Sequence, residues 1–100
     1  MAEPWWSSWV APVIPYAVLL RLFSDGGLSA DEFEVVFLRL YKLDPTQWPA
    51  DLFAVLDSFF ADVDAYCPVD ALRAEVGGLD ADELRERASQ TLGRLKELAG

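Results

Sequence analysis

The stretch LSADEFEVVFLRLY, residues 28–41, contains both the start signal of a helix and the face that helix buries. Ser29 is placed to cap the first turn. Glu32, three residues on, can answer it through the Ser29 backbone N–H, and Leu28 and Phe33 stand at the two positions of a hydrophobic staple. Phe33, Val36, Phe37 and Leu40 then recur at the 3.6-residue period. The helix should stop near KLDP, because the residue before Pro45 is pushed away from helical angles.

The same device recurs at LDADEL, residues 79–84, where Asp80 caps, Glu83 answers and Ala88, Leu92 and Leu95 continue the apolar face. A further helix is predicted from Pro49, with Asp51 in its first turn and a stripe of Leu52, Val55, Leu56, Phe59, Phe60 and Val63. Another begins near Pro15, runs through YAVLLRLF and stops before SDGG. No segment alternates with the period of a strand. The expected fold is all-α, a small antiparallel four-helix bundle, with Phe33, Phe37, Leu56, Phe59 and Phe60 in the core. Residues 13–100 would form this helical domain, and residues 1–12 a Trp/Pro-rich N-terminal arm whose Trp5, Trp6 and Trp9 lie over the core as a lid or meet a partner.

One hundred residues suffice for one core, and the 53% apolar content excludes a disordered chain. Seventeen acidic residues against eight basic ones give a net charge of −9, which argues against nucleic acid and anionic membranes and for a basic partner. Histidine is absent, and with it the commonest general base and transition-metal ligand. Cys67 is alone, fits a reducing cytoplasm, and sits among Asp62, Asp64 and Asp70, which oppose a reactive thiolate. The first 23 residues lack a basic leader and are broken by Pro4, Pro12, Pro15 and Arg21, so they read as neither signal peptide nor membrane span.

The segment LDSFFADVDAYCP, residues 56–68, sets carboxylates on the border of an apolar stripe. At about 100° per residue, Asp57 and Asp64 fall on one flank of the helix, and Asp51 and Asp62 on the other. Asp57 and Asp64 are two turns apart, roughly 10 Å, too far to share a proton or an ion. DVDAYCPVDALR begins like a calcium loop but has Tyr66, Val69 and Arg73 where oxygen ligands belong. No catalytic set, cofactor motif or metal site is expected, and the chain reads as no enzyme. A solvated rim that keeps the domain soluble is one account of the acids; a surface for a basic partner is the other.

Taken in order, LLRLFSDGGLSADEFEVVFLRLY, DLFAVLDSFFADVDAYCPVDALR and LDADELRERASQTLGRLKEL resemble the bacterial self-protective, colicin-like immunity family, of the colicin D immunity type, over roughly residues 17–98. The resemblance implies a cytoplasmic, stoichiometric antitoxin that inhibits a cognate bacteriocin-type nuclease, a tRNase in the colicin D case, by filling its basic cleft with an acidic surface. It implies Asp57, Asp62, Asp64, Tyr66 and Asp70 as partner-binding residues, with Tyr66 as a rigid aromatic anchor. No cofactor is expected from the residues present, and the isolated chain should be a monomer or weak homodimer. The alternative is an acidic helical adaptor or dimerisation module with no toxin partner, presenting Val35, Leu38 and the three tryptophans.

Overall fold

A computed structural model describes the backbone of residues 7–99 and the side chains of residues 12–98. Five helices follow one another: α1 (Ser7–Ser24), α2 (Ala30–Leu43), α3 (Ala50–Ala65), α4 (Asp70–Val76) and α5 (Ala81–Ala99). The lid or patch expected of Trp5, Trp6 and Trp9 lies outside the described side chains. α1 begins at Ser7 rather than Pro15 and passes through both Pro12 and Pro15. Each proline removes one helical hydrogen bond but matches helical φ. The burial of Val13, Tyr16, Leu19, Leu20 and Phe23 along the same helix offsets that loss.

Both capping boxes form. Glu32 N–H donates to Ser29 Oγ at 3.1 Å and Ser29 N–H to Glu32 Oε1 at 3.0 Å. Glu83 N–H donates to Asp80 Oδ1 at 2.7 Å and Asp80 N–H to Glu83 Oε1 at 3.2 Å. These pairs satisfy donors that the first helical turn otherwise leaves open. At its other end, α2 is tied to α1 through Asp44, which accepts from the Tyr16 hydroxyl at 2.6 Å and from Thr46 N–H at 2.9 Å.

The core is aromatic. Phe33 of α2 stacks on Phe23 of α1 with centroids 4.2 Å apart and meets Phe59 of α3 at 5.9 Å, while Phe37 meets Phe59 edge-on at 5.0 Å. α5 joins through Leu84, Ala88 and Leu95, all fully buried, and through Arg85. The Arg85 guanidinium lies 4.8 Å over the Phe23 ring, and its Nε donates to the Phe23 carbonyl at the end of α1. Of the five residues expected in the core, Phe33, Phe37, Leu56 and Phe59 are buried, whereas Phe60 is half-buried against Tyr41. The helix not foreseen, α4, is short and buries no residue, so it lacks the apolar periodicity that announces the others.

Phe59→Ala should cost about 3–5 kcal/mol, because its ring is packed on two helices and leaves a cavity. Ser29→Ala should cost roughly 0.5–2 kcal/mol through loss of the cap. Chemical denaturation measures both; a loss under ~1 kcal/mol for Phe59→Ala would contradict this packing.

Candidate functional site

The two flanks of α3 separate as their angular positions require. Asp62 turns toward α5 and pairs with Arg87 at 3.4 Å. Asp57 and Asp64 are exposed and act on α2 instead, where their charges reach Tyr41 and Glu34 respectively. The α2–α3 seam therefore carries Asp31, Glu34 and Tyr41 from one helix and Asp57, Phe60 and Asp64 from the other. Tyr41 and Phe60 meet at 5.2 Å in the seam, both half-buried.

Tyr66 lies beneath one end of this seam. It is 9% exposed, so in the free protein its ring packs with the core, and its hydroxyl donates to Asp31 Oδ1 at 2.7 Å. Burial pushes that hydroxyl up to about 12; the bond to Asp31 and the charges of Asp31 and Glu34 act in the same direction, and the Arg73 charge opposes them. Tyr66 thus holds Asp31 in place from below. Asp70 opens α4 and pairs with Arg73 at 2.7 Å.

The acids of the seam stand outside the ion pairs of the domain. The ion pairs among the described residues are Arg21–Asp25, Arg73–Asp70, Arg85–Asp82 and Arg87–Asp62. None of them uses Asp31, Glu34, Asp57 or Asp64. Desolvation holds the Glu34 carboxyl above the usual glutamate range, and the charges of Asp31 and Asp64 push it the same way. Asp31 went unread in the sequence because it stands in the first turn of a capped helix, where an acid is expected for the helix dipole alone, and Glu34, one turn on, carries no local signal. Their second role arises from α3, and no local signal reveals it.

Among the described residues no group of three acidic, cysteine or histidine side chains is arranged to hold a metal ion. No described helix is long and apolar enough to cross a membrane. The model of the family described as bacterial self-protective colicin-like immunity matches residues 12–95. The chain belongs to this family. Its members are immunity proteins, in general non-enzymatic inhibitors of a bacteriocin, and a cognate toxin is the implied partner. No curated protein and no solved structure matches the chain.

The raised Glu34 carboxyl has a signed consequence. The folded chain binds that proton more tightly than the unfolded chain, so this group's contribution to stability falls as pH rises through and above the ordinary glutamate range. Glu34→Gln should therefore raise the melting temperature at pH 7, and the gain should shrink as pH falls toward ~4. A lowered melting temperature at pH 7 would contradict the crowding of charge at the seam.

Proposed function

We propose that this immunity protein inhibits a bacteriocin-type nuclease, a tRNase in the colicin D manner, by laying its α2–α3 seam into the toxin's basic substrate cleft. The observation that carries the reading is the uncompensated set of Asp31, Glu34, Asp57 and Asp64 around the Tyr41–Phe60 pair. A cleft built for a phosphate backbone offers Lys and Arg at intervals, and carboxylates spaced along two helices meet such cations as phosphates do. The half-buried rings supply an apolar contact between the charges.

The five residues singled out in the sequence divide under this reading. Asp57 and Asp64 meet toxin cations directly. Asp62 and Asp70 already hold Arg87 and Arg73, and stand at the edge of the contact. Tyr66 acts through Asp31. Inhibition of this kind is steric and stoichiometric and needs no catalytic group or cofactor. The site of action is the cytoplasm, where the RNA substrate lies.

Long-range attraction between the −9 chain and a basic cleft predicts fast, salt-sensitive association, on the order of 10⁸ M⁻¹s⁻¹ at low ionic strength. The test takes a cognate toxin domain and the triple variant Glu34→Gln, Asp57→Asn, Asp64→Asn. The variant should keep its helical content, associate at least ~10-fold more slowly with a flattened salt dependence, and fail to protect cells expressing the toxin. A folded triple variant that protects and binds as the parent does would make the seam a solubility rim.

A further inference from the structure

Aromatic side chains build the core of this domain, and one of them does not go there. Among the described residues Phe53 is the aromatic left exposed, at 49%, whereas the others are buried or half-buried. It lies outside the core cluster and joins none of the ring pairs around Phe33, Phe37 and Phe59. A lone exposed apolar residue is ordinary on a soluble surface. The position of Phe53 on α3 is what gives it meaning.

α3 is one unbroken helix from Ala50 to Ala65, so spacing alone fixes which residues share a face. At about 100° per residue, Phe60, Phe53, Asp64 and Asp57 fall in that order within an arc of about 60°, beside the arc of the buried Leu52, Leu56, Phe59 and Val63. Phe53 therefore extends the row that α3 presents at the seam, two turns beyond Phe60. Asp57 is its neighbour at the i,i+4 spacing, which sets Cβ atoms about 5–6 Å apart. Asp57 is itself exposed and enters none of the ion pairs among the described residues. An open ring face and an unpaired carboxylate thus stand side by side.

The chemistry that fits such a pair is a cation on a flat group. A ring face attracts a cation through its quadrupole, and a guanidinium can stack through its plane while donating through its edge. This chain contains the same contact in filled form. The Arg85 guanidinium lies 4.8 Å over the Phe23 ring while its Nη1 pairs with Asp82 at 3.5 Å. A second copy of the chain suits the Phe53 site poorly, because ring against ring would bring the Asp57 rows of two −9 molecules together.

We infer that Phe53 and Asp57 form a receptor for one arginine side chain of the toxin, the guanidinium stacking on the ring and pairing with the carboxylate. The inference rests on the reading of the seam as the toxin-binding face. Long-range charge draws any basic cleft toward the seam. The receptor accepts only a cleft that carries an arginine at this place, so Phe53 is a specificity-determining residue.

The test compares Phe53→Leu and Phe53→Tyr with the parent against a cognate toxin domain. Phe53→Leu keeps an apolar side chain but loses the ring face, and affinity should fall roughly 10-fold, mainly through faster dissociation, with the salt dependence of association retained. Phe53→Tyr keeps the ring and should bind as the parent does. Melting temperatures should stay close to the parent's in both, whereas a packing role would lower them and leave binding alone. In an Asp57→Asn background, Phe53→Leu should cost less than in the parent, because the two groups hold one cation. An equal loss in both backgrounds, or a Phe53→Tyr variant as weak as Phe53→Leu, would overturn the receptor. A Phe53→Leu variant that binds as the parent does, while the triple acid variant of the seam is weakened, would overturn it and leave the seam standing. A triple variant that binds as the parent does would overturn both readings. A parent dimer in sedimentation that becomes monomeric in Phe53→Leu, with toxin affinity unchanged, would assign the ring to a second copy and overturn the inference.

Discussion

The ring of Phe33 is the contact on which the other parts depend. It stacks on Phe23 of α1 at 4.2 Å, continues to Phe37 one turn along α2 at 5.7 Å, and meets Phe59 of α3 at 5.9 Å. One fully buried side chain thus orients three helices, and buried aromatics contribute more through geometry than their area alone suggests. The capping box a turn earlier sets where α2 begins, so Phe33 reaches this position in a fixed register. With α2 and α3 held by Phe33, Phe37 and Phe59, their outer edges have no freedom to drift apart. Asp31, Glu34, Asp57 and Asp64 are therefore kept on one seam despite their mutual repulsion.

That repulsion has a place in the account. A domain selected for stability alone would interleave lysine or arginine along such an edge, as this chain does between Asp62 and Arg87 and between Asp82 and Arg85. At the seam no ion pair forms, and desolvation, followed by the charges of Asp31 and Asp64, holds the Glu34 carboxyl high. Departures from local optimisation of this kind concentrate where a protein does its work. Under the proposed function, a basic partner would relieve the crowding on binding, so the cost carried by the free protein would favour the complex.

Much of the fold could be read from residue order because its signals are local. Ser29 with Glu32, and Asp80 with Glu83, announce two helix starts within four residues each, and the spacing of Phe33, Phe37, Leu56 and Phe59 marks the buried faces. The flanks of α3 followed from helical angles alone. Other features depended on neighbours distant in sequence. α1 continues through Pro12 and Pro15 because burial of its later residues outweighs the two missing hydrogen bonds. The burial of Tyr66 beneath Asp31 depends on the approach of α2, which residue order alone does not show. α4 has no buried stripe to betray it, since polar bonds from Arg73 and a backbone clasp between Ala65, Cys67 and Leu79 hold it.

The central claim is that one contiguous face, the α2–α3 seam, receives the toxin. Amide hydrogen exchange of the protein, alone and saturated with the toxin domain, measures this directly. The account predicts slowed exchange along residues 31–41 and 57–66, with the outer surface of α1 and α5 around Val18, Leu22 and Lys96 unchanged. Protection concentrated on α1 and α5, with the seam exchanging as in the free protein, would contradict it.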